Sequence, residues 1–200
     1  MLRGTLLLFL LLNLTAYAQN TRIEAEDWQA EMNMDFADSA SSPLKPSDRK
    51  EFTGLPFFPI NEKFGVWAQL ELTPESKPFK MKTSTDRLAD YRQYAMASFT
   101  IDEDTFSLAV YQNLRLLKRP GYEDYLFIPF MDASNGSKSY SGGRYIEIHS
   151  VATDSLFINF NKAYNPYCAY NDRYSCPVPP SENYLDIAIE AGVLKPKKEH

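Results

Sequence analysis

The sequence predicts a mainly β protein, an antiparallel β-sandwich or partly open barrel with an N-terminal amphipathic helix. The first observation is that about eight segments alternate apolar and polar residues, a period typical of strands with one buried face. The second is that few gaps between these segments could hold a crossover helix of about a dozen residues. Neighbouring strands should therefore pair antiparallel, and such sheets form sandwiches or barrels.

One helix is predicted near the N-terminus, at residues 22–37. Thr21 followed by Glu24 is a capping-box pattern, which marks the start of a helix. The apolar residues that then share one helical face are Ala25, Trp28, Met32 and Phe36. We expect Trp28 and Phe36 to anchor this helix to the core.

The strands are predicted from the alternation and from the turn residues between segments. Asp102-Glu103-Asp104 separates two long alternating segments, which predicts a hairpin. The side chains expected to share the buried face of this hairpin are Ala97, Phe99, Ile101, Phe106, Leu108 and Val110. The predicted strands cover 64–72, 79–83, 91–101, 105–112, 125–130, 144–149, 155–160 and 184–191.

Residues 1–18 predict a secretory signal peptide. Arg3 precedes an apolar run from Leu6 to Leu12, and Ala16-Tyr17-Ala18 offers the small residues that a signal peptidase recognises. The run is too short to cross about 30 Å of hydrocarbon as a helix. The sequence therefore predicts an exported protein, periplasmic or extracellular, with residues 19–200 as one globular domain. No stable membrane insertion is expected after removal of the signal peptide.

The charge argues against nucleic acid as a partner. The whole chain has a formal net charge of −5, with 21 Lys and Arg against 26 Asp and Glu. Removal of residues 1–18 takes away one arginine and no acid, so 20 basic and 26 acidic residues leave a net charge of −6. Nucleic acids and anionic membranes are bound by clustered Lys and Arg, which this chain shows only at Lys195 to Lys198.

Two cysteines in an exported chain predict a disulfide. Cys168 and Cys176 are separated by seven residues, and their bond would constrain the unfolded chain by about 2.5 kcal/mol. A redox pair and part of a metal site are the alternatives. CxxC spacing is absent, however, and outside the predicted signal peptide the histidines are His149 and His200 alone. No metal and no cofactor are predicted.

Two loops have compositions that ordinary connectors do not require. Residues 160–184, FNKAYNPYCAYNDRYSCPVPPSENY, combine rigid prolines with Tyr rings and with Asn amides that donate and accept hydrogen bonds. Residues 129–145, PFMDASNGSKSYSGGRY, contain Gly142-Gly143, which permit a close backbone approach. These two glycines are not followed by the lysine of a phosphate-binding loop, and they lack its strand–helix context. The 160–184 loop predicts a site, and a decorated hairpin is the alternative for 129–145.

Four strings of the sequence also carry a family resemblance. They are DRKEFTGLPFFP at 48–59, DASNGSKSYSGGRY at 132–145, NFNKAYNPYCAY at 159–170 and CPVPPSENY at 176–184. They resemble the signature of a bacterial and archaeal family, a domain of unknown function numbered sixteen eighty-four. The family pattern usually begins its third string with an acid, where this chain has Asn159. The resemblance implies a shared fold and a shared site, without an established activity.

That resemblance implies a site built from both loops. The implied ligand-binding residues are Tyr140, Arg144, Tyr145, Asn161, Tyr164, Asn165, Tyr170 and Asn183. Asp132 and Glu182 are the candidates for acid–base catalysis. A guanidinium offers a planar fork to a carboxylate or phosphate, amides and phenols orient a polar ligand, and aromatic faces stack on rings. In the structural alternative, Arg144 pairs with Asp132 or Glu182 and the asparagines bond the loop backbone.

The leading functional hypothesis is that a small polar or anionic molecule binds between the 129–145 and 160–184 loops. One alternative is a hydrolase- or lyase-type enzyme that uses Asp132 or Glu182. The other is a structural or interaction module whose loop contacts a partner. Nucleophilic catalysis has little support, because no G-x-S-x-G elbow is present and His149 lies on a predicted strand with no evident partner.

Overall fold

In the computed structural model, residues 2–149 and 154–197 are described, residues 2–18 by their backbone alone. The helices are α1 (Leu2–Ala37) and α2 (Pro46–Lys50). The strands are β1 (Gly65–Leu72), β2 (Phe79–Lys82), β3 (Leu88–Ile101), β4 (Asp104–Asn113), β5 (Tyr125–Asp132), β6 (Arg144–His149), β7 (Ser155–Asn159) and β8 (Tyr184–Leu185). Short 3-10 turns connect several of them.

The strands form one strongly curled sheet, a half-barrel, in the order β6-β5-β4-β3-β1-β7. β2 pairs with β3, and β8 pairs with β5. Every strand pair is antiparallel except β5 with β8, which is parallel. The predicted mainly β, antiparallel, partly open architecture is therefore confirmed. β6 and β7 lie at the two ends of the sheet.

The predicted hairpin is the centre of the sheet. β3 and β4 pair from Tyr91 with Asn113 to Ile101 with Asp104, interrupted by one irregularity between Gln93 and Ala95. Asp102 takes a left-handed backbone conformation with φ of 56° in the tight turn. Aspartate tolerates this conformation better than most residues. The alternation predicted for this hairpin is confirmed, because its expected inward side chains lie in or against the main core.

Apolar clusters cover both faces of the sheet. The main core lies on one face and contains Val66, Ala68 and Leu70 from β1 together with apolar residues of β3 to β7. A second cluster, rich in tyrosine, lies on the opposite face and is covered by the segment around Cys176. A third cluster joins the C-terminal half of α1 to the 160–184 segment. The second face is where polar side chains and aromatic rings mix.

The N-terminal helix is longer than the sequence predicts. The prediction placed its start at Thr21, but α1 already runs continuously from Leu2 to Ala37, so Thr21 lies inside it and is fully buried. The anchors are confirmed, since Phe36 is buried and Trp28 packs against the same cluster. The predicted signal peptide falls largely on residues 2–18, whose side chains are outside the described part. Within the described residues no helix combines the length and apolar character needed to span a membrane.

The last predicted strand, 184–191, is mostly irregular. Only Tyr184 and Leu185 form a strand. Beyond them the backbone carbonyls of Ile189 and Ala191 accept hydrogen bonds from the side chain of Arg144. Because these carbonyls serve a buried guanidinium, they are not available to a neighbouring strand, and this is why the alternating pattern does not extend the sheet.

Candidate functional site

A cavity of about 860 Å³ lies at the open edge of the half-barrel. Its walls are the C-terminal half of α1, the two end strands β6 and β7, and parts of the 160–184 segment. This edge-strand cavity is lined by, among others, Glu24, Trp28, Glu31, Asp35, Trp67, Tyr125, Tyr145, Glu147, Phe157, Lys162, Tyr164 and Tyr167. A space of this size falls within the range of about 300–1,000 Å³ that small-molecule sites occupy.

Glu147 on β6 is the polar centre of the edge-strand cavity. Its Oε1 accepts a hydrogen bond from the hydroxyl of Tyr125 at 2.8 Å and another from the hydroxyl of Tyr164 at 2.5 Å. Tyr125 lies on β5, diagonal to Glu147, which pairs directly with Phe127. Tyr164 follows β7 in the chain. Three elements therefore orient one carboxylate, while Glu147 itself stays exposed to the cavity.

The tyrosines around Glu147 remain protonated. Burial raises the pKa of Tyr125 and of Tyr164 well above the ordinary phenol value, and the Glu147 carboxylate adds to the shift. Burial also raises the pKa of Tyr91 and of Tyr167, which line the same cavity, to about 12. At neutral pH these phenols are therefore hydrogen-bond donors, and those of Tyr125 and Tyr164 hold the carboxylate in place.

Aromatic rings form the walls around this carboxylate. The ring of Tyr164 lies 6.3 Å from that of Trp28 on α1 and 5.7 Å from that of Tyr145 on β6, the latter pair nearly perpendicular. On the other side, Trp67 packs against Phe157 with ring centroids 5.4 Å apart, and Trp67 remains 59% exposed. An exposed tryptophan at the rim of a cavity offers a face to a ligand.

Tyr145 and Tyr164 bring the two loops that the sequence singled out into contact. Their backbones exchange two hydrogen bonds, from Tyr145 N to Tyr164 O at 2.9 Å and from Tyr164 N to Tyr145 O at 3.0 Å. Both side chains line the edge-strand cavity. The expected meeting of the two segments is therefore present at this pair, whereas the other described residues of the 129–145 loop do not line the cavity.

Arg144, the residue on which the predicted anion site depended, is sealed inside the protein. Its side chain has no exposed surface, and Nη2 donates to Asp132 Oδ2 at 2.7 Å and to Ile189 O at 2.8 Å. Nη1 donates to Ala191 O. Burial lowers the pKa of Arg144, and the Asp132 carboxylate opposes that shift. The predicted ligand-binding role does not fit this geometry, because the guanidinium is engaged in an internal ion pair.

The same pairing removes Asp132 from acid–base chemistry. Its side chain is fully buried, and Oδ1 accepts hydrogen bonds from Ser134 N at 2.8 Å and from Ile189 N at 3.1 Å. Glu182 is exposed, accepts a hydrogen bond from Tyr111 at 3.0 Å, and does not line the edge-strand cavity. Of the two candidates for acid–base catalysis, Asp132 therefore has no access to solvent, and Glu182 is exposed outside the edge-strand cavity.

The asparagines predicted to bind ligand instead satisfy buried backbone groups. Asn161 bonds both the N–H and the carbonyl of Asn61 at 2.9 Å. Asn183 bonds the N–H and carbonyl of Ala109 and the carbonyl of Pro129. Asn165 donates to Leu194 O at 2.8 Å. Each side chain is at most 1% exposed, so their function is to hold irregular segments inside the fold.

The remaining predicted site residues lie elsewhere. Tyr170 is buried, accepts a hydrogen bond from Asn165, and lines a smaller cavity beside α2. Tyr140 is half-buried, lines neither cavity and packs over Gly142. Gly143 has φ of 84°, and a Cβ there would meet the carbonyl oxygen of Phe130 at 2.7 Å, so the predicted close backbone approach is present.

The predicted disulfide is absent. Cys168 and Cys176 are free thiols that lie against each other, with Cys168 N donating to Cys176 Sγ at 3.2 Å. A hydrogen bond from Cys176 lowers the pKa of Cys168 to about 6. The same hydrogen bond to Cys168, together with burial, raises the pKa of Cys176. Cys168 is therefore the more reactive thiol of the two.

The functional residues that sequence reasoning missed are Glu147, Tyr125 and the acidic residues of α1. Glu147 lies within the predicted strand 144–149, and its partners Tyr125 and Tyr164 are visible only in the folded structure. His149, which had no evident partner in the sequence, lines the cavity with Nδ1 3.0 Å from Asp124 Oδ1. Within the described ranges no three His, Cys, Asp or Glu side chains cluster as metal ligands would.

Comparison with known proteins agrees with the fold and gives no activity. The solution NMR structure of an uncharacterised protein from gene locus rrnAC0354 of Haloarcula marismortui is 32% identical to this chain. The match covers 88% of this chain and 94% of that one, with a TM-score of 0.68. No curated protein matches significantly. The family profile described as a protein of unknown function, DUF1684, matches residues 50–194. The chain therefore belongs to the DUF1684 family.

Proposed function

We propose that the protein binds a small polar molecule in the edge-strand cavity. The observation that carries the proposal is the carboxylate of Glu147, which the phenols of buried Tyr125 and half-buried Tyr164 orient while Glu147 itself stays exposed to the cavity. Asp132, by contrast, is sealed in an internal ion pair, whereas Glu147 lines the cavity. A few fixed polar groups in a concave aromatic wall are what orient a small ligand.

The arrangement of the walls supports this proposal. α1, the β6 and β7 strands, and the 160–184 segment each contribute side chains, so a ligand would contact elements that are distant in sequence. Trp28 and Tyr164 supply neighbouring ring faces, and Trp67 supplies an exposed one. The Asn161 and Asn183 side chains keep the surrounding irregular segments fixed. A cavity that is formed before binding saves the ordering cost of a flexible site.

We also propose that the protein acts outside the cytoplasm, with residues 1–18 as the signal peptide. The cavity supports this reading in one respect. The α1 side chains that line it begin at Glu24, so cleavage after Ala18 would leave the binding wall whole. The mature helix would then run from about residue 19 to Ala37, which is long enough to span the cavity.

The proposal is tested by a fragment screen with a blocked cavity as the control. Amide chemical shifts of the labelled protein are recorded with neutral, anionic and cationic polar fragments. Fragments that bind should shift the amide resonances of the cavity wall in the wild type. These shifts should be lost in Ser155→Trp, because Ser155 lines the cavity and the larger indole would obstruct it. Thr100→Trp is the matched control, since Thr100 is exposed on β3 away from the cavity. Fragments whose shifts persist in Ser155→Trp, or an absence of hits, would refute the proposal.

A further inference from the structure

We propose that the ligand of the edge-strand cavity is an organic cation, a molecule with an alkylammonium group that meets Glu147 and the surrounding rings. This inference rests on the proposed binding function and names the class of its ligand. It reverses part of the sequence-based hypothesis, which allowed an anion, because the arginine expected to bind one is buried in an ion pair.

The wall of the edge-strand cavity carries a net negative charge. Three carboxylates come from α1, at Glu24, Glu31 and Asp35, and a fourth is Glu147. Among the described residues, Lys162 is the one lysine or arginine on the wall, so four acids and one base leave a formal charge of −3 with His149 neutral. Like charges focused in a concave site repel anions and attract cations.

The acids of α1 lie along one side of the helix, together with Trp28. Glu24, Trp28, Glu31 and Asp35 follow one another by four, three and four residues, so they form a single stripe on the helix. An acidic face turned to bulk solvent would be an ordinary surface. Here the stripe combines three acids with Trp28 and lines the cavity, with Glu31 and Asp35 also exposed to solvent. Carboxylates and an indole therefore share the wall that α1 contributes to the cavity.

Aromatic rings lie beside these carboxylates on the cavity wall. Trp28, Tyr164 and Tyr145 form a corner with ring centroids 6.3 Å and 5.7 Å apart, and Trp67 lies exposed on another wall. Ammonium groups bind over the faces of such rings, tryptophan most strongly. A carboxylate beside aromatic faces is the combination that recognises an organic ammonium. The chemistry is less suited to a metal ion, because the described acids form no cluster of three ligands.

The test uses two sets of compounds that match in shape and differ in charge. One set is choline, 3,3-dimethyl-1-butanol and 3,3-dimethylbutyrate, and the other is phenethylamine, 2-phenylethanol and phenylacetate. Dissociation constants are measured by chemical-shift titration at low and high salt. We expect at least one ammonium compound to bind about tenfold more tightly than its neutral match, with the anion weakest. High salt should weaken the binding of the ammonium compound and leave the dissociation constant of the alcohol unchanged.

Single substitutions test which carboxylates produce the preference for ammonium compounds. Glu147→Gln should weaken ammonium binding by about tenfold while leaving the alcohol unaffected, because it removes a charge and keeps the acceptor for the phenols. Glu31→Gln should weaken it by about twofold. Glu26→Gln is the matched control, since Glu26 is exposed on the same helix but does not line the cavity. Glu26→Gln should bind the ammonium compound as tightly as the wild type does.

The outcomes separate this inference from the binding function on which it rests. If the alcohols or the anions bind in the cavity as tightly as the ammonium compounds, the cation inference is overturned and the binding function stands. If no compound of any charge shifts the amides of the cavity wall, the cation inference is overturned as well. The broader fragment screen then decides whether binding of another class remains.

Discussion

Substitution of Asp132 by asparagine should destabilise the protein strongly, although it changes one atom. Asp132 Oδ1 accepts the backbone N–H groups of Ser134 and Ile189, while Oδ2 accepts Arg144 Nη2 at 2.7 Å. If the asparagine keeps its oxygen toward the two N–H groups, its NH₂ group faces the guanidinium. Two donors then meet and the buried positive charge of Arg144 loses its counter-ion.

The expected cost follows from the burial of this pair. Removing one partner of a buried ion pair costs about 3–5 kcal/mol. Two carbonyl oxygens, of Ile189 and Ala191, remain on the guanidinium, so the lower end is expected, about 3 kcal/mol. Against a typical total stability of about 5–15 kcal/mol, this is a large fraction. For a domain of this size it corresponds to a fall in Tm of about 6–12 °C.

Urea denaturation followed by circular dichroism gives the free energy of unfolding for the wild type and the variant. Glu190→Gln is the control, because it breaks the exposed pair with Lys138 and should cost at most about 1 kcal/mol. Adding Arg144→Met to Asp132→Asn should cost little more, or recover stability, since the unpaired charge is then gone. A cost for Asp132→Asn no larger than that of Glu190→Gln would refute the reasoning.

Three further predictions concern the thiols, the tyrosines and the N-terminus. Alkylation of Cys168 by iodoacetamide should reach half its maximal rate near pH 6, because Cys176 lowers its pKa to about 6; a midpoint near that of an ordinary thiol, about 8.5, would contradict this. Burial raises the pKa of Tyr91 to about 12, so its stabilising contribution should be full below pH 10 and be lost as the pH rises from 10 through 12. Urea titrations of the wild type and Tyr91→Phe across this range check the sign, and a wild type that gains stability relative to the variant would refute it. Intact mass of the protein recovered from the cell envelope should show residues 1–18 removed, and a full-length mass would count against export.

The alternating segments predicted the sheet well because that signal is local. Seven of the eight predicted strands are present, only Tyr184 and Leu185 remain of the eighth, and the hairpin at Asp102 has the expected pairing and inward face. Local signals were weaker at element ends. The capping pattern at Thr21 did not start a helix, because the helix already continued from earlier residues. The 184–191 alternation did not extend the sheet, because its carbonyls bond Arg144.

The site was harder to predict because unusual loop composition has two physical causes. Asparagine-rich segments can bind ligands, or they can satisfy their own buried backbone, and a sequence does not distinguish these cases. Asn161 and Asn183 belong to the second kind. Likewise, Arg144 is equally suited to an anion or to an internal carboxylate, and its partner Asp132 was among the possibilities. Glu147 carried no sequence signal, since its partners lie on another strand and beyond β7.

The most direct test of the central claim is a crystal structure of the protein with the tightest-binding ammonium compound from the matched sets. The account predicts the ammonium nitrogen in the edge-strand cavity, within about 3 Å of Glu147 or over the face of Trp28 or Tyr164. A compound bound elsewhere with the cavity empty, or bound there with its nitrogen turned away from Glu147 and the rings, would contradict it.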